Sequence, residues 1–325
     1  MKGVLLISYA VILHAQHGMS SFAPPKDIDV KVQGELRGVE ENRDLARARA
    51  LALEGKYAQA LSILERNKAQ NQDNPSFWYW IGYCQENLDQ KDAAIQAYSQ
   101  ALQKNPGMAQ AWWGKGSVLF KEKRYEEAYQ AFEQVTHHAP KEPQAYFYAG
   151  VSLWMQNKRL QAIPWWEKAV KLGLADSANV FVWIGDTYAE VDSLALAEQA
   201  YKRATKAPKP PAEALAGLGK VRLAQRDPEG AIPLLAQAEA QLPQDPSPPY
   251  YKGMAYKQLG KTAEAQSAFQ EALRRKPDHA RSLYEMGLIA LEQNRIDDAQ
   301  KYYEQLKTVN SRLAQQLLQE ILNKR

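Results

Sequence analysis

The sequence predicts an all-α protein, in which about eight two-helix repeats form a superhelix and a short helix caps the C-terminal end. Two observations support this prediction. A set of landmark residues between Pro75 and Pro140 recurs after 34 residues, and a fixed period of roughly 20 to 50 residues is the signature of repeat architectures. A glycine, followed twelve positions later by an alanine, then extends the same register over most of the chain.

The first observation comes from two adjacent segments, 75–108 and 109–142. Their matching residues are Trp78, Gly82, Ala94, Tyr98, Ala101 and Pro106 in the first and Trp112, Gly116, Ala128, Phe132, Val135 and Pro140 in the second. The glycine position is occupied by Gly82, Gly116, Gly150, Gly185, Gly219, Gly253 and Gly287. One period earlier, Ala48 and Ala60 take the glycine and alanine positions, which defines a less regular first repeat. The repeat domain therefore spans 41–313, in repeats near 41–74, 75–108, 109–142, 143–177, 178–211, 212–245, 246–279 and 280–313.

Each repeat reads as two helices separated by a short polar break. A glycine inside a helix costs roughly 1 kcal/mol relative to alanine, so its recurrence requires a reason. Close packing of the two helices supplies one, with the alanine of the second helix pressed against the glycine backbone of the first. A large residue four positions after each alanine is expected to fill the remaining space; Tyr98, Phe132 and Trp166 are examples.

This pattern resembles the tetratricopeptide repeat, whose signature is an early Trp, then Leu-Gly and Tyr, a later Ala, an aromatic residue and a closing Pro. The resemblance covers about five sixths of the chain. It departs at Leu174 and Lys209, which stand where the fourth and fifth repeats would close with proline. The resemblance implies a right-handed α-α superhelix that binds other proteins and has no catalytic activity.

The resemblance also implies where a partner would bind. In tetratricopeptide proteins the first helices line a concave groove, and the corresponding positions here hold Tyr79, Trp80, Tyr83, Trp113, Phe120, Phe147, Tyr148, Trp154, Met155, Trp183, Tyr250, Tyr251, Met254 and Tyr284, with the acidic pair Asp186 and Glu190. Some of these rings should pack between neighbouring helices, and the others should form an exposed apolar patch of the kind that marks binding surfaces. Trp113, Phe147 and Trp154 are the expected anchors, whereas Trp112 takes the core position beside Trp113.

Composition and charge restrict the function further. Lysine and arginine number 41 against 37 acidic residues, a formal net charge of +4 spread along the chain, which is too weak and diffuse to predict nucleic-acid binding. Cys84 is the only cysteine, so an intramolecular disulfide and a cysteine-based zinc cluster are both excluded. Its position on an inward-facing part of a helix predicts a buried, unreactive thiol.

The sequence shows no motif for a cofactor, a metal or a nucleophile, and we expect none of the three. Asp186 and Glu190 stand four residues apart on one predicted helix and would share a face. Paired carboxylates can act as acid and base. The main interpretation is a solvated acidic surface that receives a basic side chain of a partner, and catalysis by the pair is an alternative of low weight.

The two ends of the chain lie outside the repeats. Lys2 precedes an apolar run, Gly3 to Leu13, which resembles the core of a signal peptide, so residues 1–23 are expected to be a signal peptide and 24–40 a flexible segment. This predicts a periplasmic or secreted protein without stable membrane insertion after cleavage; a cytoplasmic protein is the alternative. At the other end, the segment 311–325 is expected to form a capping helix, with one apolar side made of Leu313, Leu317, Leu318, Ile321 and Leu322.

Taken together, these features favour a non-catalytic scaffold or adaptor that binds a peptide or protein segment in its aromatic groove, within a bacterial cell-envelope assembly. The alternative is an accessory module that binds glycan by stacking sugars on tryptophans, or that presents substrate to a separate enzyme.

Overall fold

A computed structural model describes residues 43–324. This part of the chain contains 17 α-helices, one short 3₁₀ helix at Lys68–Gln70 and no strand, which confirms the all-α prediction. The helices are α1 Arg43–Leu53, α2 Tyr57–Asn67, α3 Pro75–Asn87, α4 Lys91–Lys104, α5 Ala109–Lys121, α6 Tyr125–His138, α7 Pro143–Met155, α8 Arg159–Lys171, α9 Ser177–Glu190, α10 Leu194–Ala204, α11 Ala212–Ala224, α12 Pro228–Gln241, α13 Ser247–Gln258, α14 Thr262–Arg275, α15 Ala280–Glu292, α16 Ile296–Val309 and α17 Ser311–Lys324. The predicted signal peptide and flexible segment lie outside the described residues.

The chain divides into two compact units, one ending at Ala175 and the other beginning at Asp176. We call them the N-terminal unit, with α1 to α8, and the C-terminal unit, with α9 to α17. Within each unit, consecutive helices pack as antiparallel pairs, so that α1 and α2 form repeat 1 and α15 and α16 form repeat 8. First helices of neighbouring repeats also contact each other, as α3 does with α5 and α9 with α11. This arrangement matches the predicted α-α superhelix.

A left-handed residue joins the two helices of every repeat. These residues are Gly55, Asp89, Lys123, Asn157, Asp192, Arg226, Gly260 and Asn294, with φ between 57° and 77°. They fall at one repeat position, just after the first helix, where the chain must reverse. Because this conformation costs non-glycine residues roughly 1 to 2 kcal/mol, the packing of the helix pair must enforce the turn.

The recurring glycines lie against large side chains of the second helix. A Cβ atom at Gly150 would come within 2.6 Å of Trp166, and one at Gly253 within 2.6 Å of Phe269. The ring, sixteen positions after the glycine, is therefore the main partner. The two helices also approach closely at the alanine, as expected, because at Gly150 the Ala162 carbonyl oxygen would lie 3.2 Å from the added Cβ.

Two of these rings also lie against the following repeat. A Cβ at Gly82 would meet the Tyr98 ring at 2.8 Å, and one at Gly114, in the first helix of the next repeat, would meet it at 2.3 Å. In the C-terminal unit, Tyr201 likewise packs against Gly185 and Gly217. Each of these tyrosines therefore fills a space shared by two successive first helices.

Aromatic donors at the fourth position of a first helix fix the linkers of the N-terminal unit. The indole nitrogens of Trp78 and Trp112 donate to the carbonyl oxygens of Gln72 and Pro106 at 2.8 Å. The Tyr146 hydroxyl donates to the Pro140 carbonyl oxygen at 3.2 Å. Each bond joins the start of a repeat to the linker that precedes it, which supports the relative orientation of the two repeats.

A buried arginine fixes one linker of the C-terminal unit. The Arg275 guanidinium donates to the carbonyl oxygens of Leu242 and Asp245 at 3.0 Å, and it pairs with Glu239 at 3.0 Å and Glu271 at 2.7 Å. Its side chain is only 7% exposed. This network holds the proline-rich segment between α12 and α13 in one conformation.

The last helix, α17, packs its apolar side on repeat 8. Leu317 and Ile321 are buried with Leu283 and Leu306. Leu317 takes the place opposite Gly287 that large second-helix side chains take in the other repeats, because a Cβ at Gly287 would meet Leu317 at 2.5 Å. The sequence pattern is wrong at one position, because Leu322, which it places on the apolar side, is 55% exposed.

Candidate functional site

The first-helix face of the N-terminal unit is a packed aromatic layer. The expected anchors Trp113, Phe147 and Trp154 are only 4%, 7% and 6% exposed, and Tyr79 and Phe120 are buried as well. The expectation that these anchors form an exposed patch is therefore wrong. Their neighbours on adjacent helices cover them, as expected for only some of the groove rings.

Tyr148, on α7, lies at the centre of this layer. Its ring centroid lies 5.7 Å from that of Trp113, 6.2 Å from Phe120 and 5.5 Å from Phe132. Edge-to-face and offset pairs at such distances stabilise a core beyond the area they bury. The layer thus joins repeats 3 and 4 rather than offering rings to a partner.

The roles expected for the adjacent tryptophans are reversed. Trp113 is buried and packs edge-to-face on Phe132 at 5.4 Å. Trp112, assigned to the core, is half-buried, with its indole nitrogen bonded to Pro106 and Lys115 near its ring. Side chains of successive helical residues point about 100° apart around the helix axis. Of the two adjacent tryptophans, only Trp113 therefore faces the interior.

Tyr83 and Met155 remain half-buried on the same unit. Burial raises the pKa of Tyr83 to about 12, and its ring packs edge-to-face with Tyr57 at 6.1 Å. Close to Tyr83, the Glu86 carboxylate already has partners within the protein. It accepts a hydrogen bond from the Tyr98 hydroxyl and forms an ion pair with Lys121 at 2.9 Å. This face therefore has little capacity left for a charged ligand.

The C-terminal unit has a more open first-helix face. Trp183 and Tyr250 are buried, but Tyr251, Met254 and Tyr284 are half-buried. Lys257 and Glu285 form an ion pair at 2.6 Å and neutralise each other. Large apolar side chains with incomplete cover, next to a neutral ion pair, are suited to contact with another chain.

Two further cations on this face lie against one tyrosine. The Lys220 ammonium lies 4.8 Å from the centroid of the Tyr251 ring, and the Arg281 guanidinium donates to the Tyr251 hydroxyl at 3.4 Å. Both cationic side chains are exposed. Within the described residues neither has a carboxylate within 4 Å. We call Lys220, Tyr251 and Arg281 the cation–tyrosine cluster.

The acidic pair predicted at Asp186 and Glu190 is not a solvated surface. Glu190 is exposed at the end of α9, whereas Asp186 is largely buried and accepts from the Tyr201 hydroxyl at 2.6 Å. Burial raises the pKa of Asp186 to about 6, although Tyr201 and Lys220 act in the opposite direction. Asp186 therefore holds the ring that fills the Gly185 and Gly217 space, and it is not displayed to a partner.

Residues 43–324 contain neither a metal-binding cluster nor a membrane-spanning helix. No group of three histidine, cysteine or acidic side chains in that range could hold a metal ion. None of the described helices combines the length and apolar character required to span a bilayer. Cys84 is fully buried, which confirms the predicted position of the thiol, and burial raises its pKa to about 12.

Comparison with known families decides the class of this fold. A tetratricopeptide-repeat profile matches residues 45–108, 124–177, 184–246 and 250–314, and a second profile of the same description matches 90–149. The chain belongs to the tetratricopeptide-repeat family. Proteins of this family generally bind other proteins or peptides and act as non-catalytic scaffolds. No curated protein matches the tetratricopeptide-repeat chain at a significant level.

Solved structures show the same fold at low sequence identity. One, the APC/C hetero-tetramer Cut9-Hcn1, has a TM-score of 0.51 at 16% identity and covers 90% of this chain. The match spans 58% of the length of that chain. Another is the C-terminal part of a tetratricopeptide-repeat protein from Cytophaga hutchinsonii, with a TM-score of 0.58 at 17% identity, covering 74% of this chain and 98% of that one. At these identities the likeness concerns the fold alone.

Three features escaped the sequence interpretation. The left-handed residues recur in register, but only Gly55 and Gly260 among them are glycine, so the signal is weak. The hydrogen bond from the Trp78 indole to the Gln72 carbonyl oxygen has one weak signal in the sequence, namely an aromatic residue six positions after a linker residue. The cation–tyrosine cluster joins three repeats, and nothing in the sequence marks its residues as neighbours.

Proposed function

We propose that the chain is a non-catalytic scaffold that binds a peptide or protein segment on the first-helix face of its C-terminal unit. One observation carries the proposal. Tyr251, Met254 and Tyr284 stay half-buried there, whereas Tyr148 and Phe147, which occupy the repeat positions of Tyr251 and Tyr284 in the N-terminal unit, are buried. Incompletely covered large side chains beside polar groups are the usual anchors of protein interfaces.

The same observations favour a peptide over the alternatives. A glycan would stack on exposed indole faces, but Trp113, Trp154 and Trp183 are buried. Catalysis by Asp186 and Glu190 would require both carboxylates at a substrate, yet Asp186 is bonded to Tyr201 inside the fold.

The proposal is tested by site-specific photo-crosslinking in extracts of the native organism. A benzophenone amino acid at Met254 or Tyr284 should capture a defined partner, and the same group at Leu196, an exposed residue on the second helix α10, should not. Alanine at Tyr284 should then weaken binding of the purified partner by about thirtyfold if it is a hot spot, which corresponds to roughly 2 kcal/mol. Equal capture from Leu196 would contradict the proposal.

We also propose that the protein works in a bacterial cell envelope, as a periplasmic or secreted component of a larger assembly. The support is the apolar run from Gly3 to Leu13 behind Lys2. N-terminal sequencing of the native protein should find a mature chain that begins after a residue between Ala15 and Ala23. An intact Met1 on a cytoplasmic product would contradict this assignment.

A further inference from the structure

The cation–tyrosine cluster collects charge from three successive repeats of the C-terminal unit. Lys220 lies on α11, Tyr251 on α13 and Arg281 on α15, and the two cations lie against the same side chain from neighbouring helices. No single repeat contains the cluster. Its geometry therefore exists only when the three first helices are stacked.

None of the acidic groups near the cluster, within the described residues, forms an ion pair with Lys220 or Arg281. Glu285 is held by Lys257. The charge of Lys220 lowers the pKa of Asp186. The Asp186 carboxylate, however, accepts a hydrogen bond from the Tyr201 hydroxyl and forms no ion pair with Lys220 within 4 Å. Glu213 is exposed at the start of α11, seven residues before Lys220. The two cations are thus available to a carboxylate that comes from outside.

We propose that the cation–tyrosine cluster is an anion-binding site that selects an acidic peptide segment. The inference rests on the proposed function and adds the chemistry of the partner. Carboxylates of the segment would accept from the Lys220 ammonium and the Arg281 guanidinium, which is a strong, geometrically defined type of hydrogen bond. The Tyr251 ring and the adjacent Met254 and Tyr284 would contact the apolar part of the same segment.

A peptide suits this surface better than a polyanion does. Phosphate backbones and anionic membranes bind through many spread cations, whereas here two unpaired cations lie around one ring with half-buried apolar side chains beside them. The net charge of +4 over 325 residues adds no long-range positive field. Selection should therefore depend on short, local contacts.

The test uses the full chain and two labelled peptides of about twelve residues, one alternating glutamate with leucine and tyrosine, the other with glutamine at each glutamate. Fluorescence anisotropy should show the glutamate peptide binding at least tenfold more tightly, the effect of a charge-assisted bond. Raising the salt from about 50 to about 500 mM should weaken that peptide alone, because salt screens exposed charges.

Substitutions identify the site. Lys220→Met and Arg281→Gln should each weaken the glutamate peptide by roughly three- to tenfold and leave the glutamine peptide unchanged. The matched control is Lys206→Met, which removes an exposed lysine from the linker before α11 and should change neither peptide. Circular dichroism must show that all three variants are folded.

Other outcomes would overturn the inference in distinguishable ways. Equal affinity for both peptides, lost in Met254→Ala, would refute acidic selection and leave the proposed function standing. No binding of the glutamate peptide at about 1 mM, or equal weakening by Lys206→Met, would also refute it. Tighter binding of phosphatidylserine vesicles or single-stranded DNA, lost in the same variants, would assign the cluster to a polyanion. Failure of the proposed function itself would instead appear as absent or unspecific crosslinking at Met254 and Tyr284.

Discussion

Replacing Gly150 with alanine should destabilise the fold, although alanine is the better helix former. The new Cβ would lie 2.6 Å from Cδ1 and Nε1 of Trp166 and 3.2 Å from the Ala162 carbonyl oxygen. Trp166 is fully buried and has no room to move away. The helix gains about 1 kcal/mol from losing a glycine, and overpacking costs about 1 to 3 kcal/mol. We expect a net loss of about 1 kcal/mol for alanine and more for Gly150→Leu.

A double-mutant cycle isolates the contact. In repeat 1 the glycine position holds Ala48 and the ring position holds Leu64, and both are fully buried, so that repeat accommodates an alanine opposite a leucine. Gly150→Ala should therefore destabilise the natural protein but stabilise the Trp166→Leu variant, by up to about 1 kcal/mol. Such a change of sign would not arise from helix propensity alone.

The assay is urea denaturation followed by far-ultraviolet circular dichroism. Gly116→Ala is the matched control, because a Cβ there would meet Phe132 at 3.1 Å and Ala131 at 3.2 Å, distances that small shifts can relieve. It should lie between the natural protein and Gly150→Ala in stability. A Gly150→Ala variant that is more stable than the natural protein would refute the reasoning, because Gly150 would then not be at a helix contact.

Three further outcomes are expected. Trp113→Ala should cost roughly 3 to 5 kcal/mol in urea denaturation and Trp112→Ala clearly less, because only Trp113 is buried; equal losses would contradict the packing described. Arg275→Ala should cost about 3 kcal/mol, since the carbonyl oxygens of Leu242 and Asp245 lose their charged donor and Glu239 keeps only Lys252. The neighbouring Arg274→Ala, whose side chain is 71% exposed, should cost under about 1 kcal/mol, and similar melting temperatures for the two would count against the linker network. The pKa of Asp186, raised to about 6 from its ordinary 3.8, means that ionisation of this carboxyl destabilises the folded chain as pH rises from about 4 to 6. Asp186→Asn should therefore match the natural protein near pH 3.5 and exceed it by up to about 3 kcal/mol at pH 7.5, and a pH-independent difference in melting temperature would contradict this.

The fold could be predicted from the sequence because its cause is visible at a fixed spacing. Gly150 and Trp166 lie sixteen residues apart in adjacent helices, and the same spacing joins Gly82 to Tyr98. A contact so local repeats wherever the helix pair repeats. The spacing of these glycines and large residues in the sequence is therefore enough to predict the helix pairs.

The binding surface could be predicted only in part. The repeat register placed Trp113 on a first helix correctly, but its exposure depends on Tyr148, which belongs to the next repeat. Lys220 and Arg281 are 61 residues apart in sequence, and they meet at Tyr251 only through the rotation from one repeat to the next. Sequence periodicity gives the position of a residue within its repeat. The burial of its side chain and the pairing of its charge depend on how successive repeats stack.

Tyr98 and Tyr201 each pack against glycines of two successive repeats, and this packing constrains the order of the repeats. Tyr98 requires a residue without a side chain at Gly114, but the equivalent position one repeat later is Tyr148. Excision of residues 109–142 would bring a Tyr98 ring against a Tyr148 side chain where glycine is needed. Repeats 2 and 3 are therefore a matched couple, as Tyr201 and Gly217 make repeats 5 and 6. Deletion or duplication of modules in this chain should be tolerated when such couples stay together and should fail when a single member is moved.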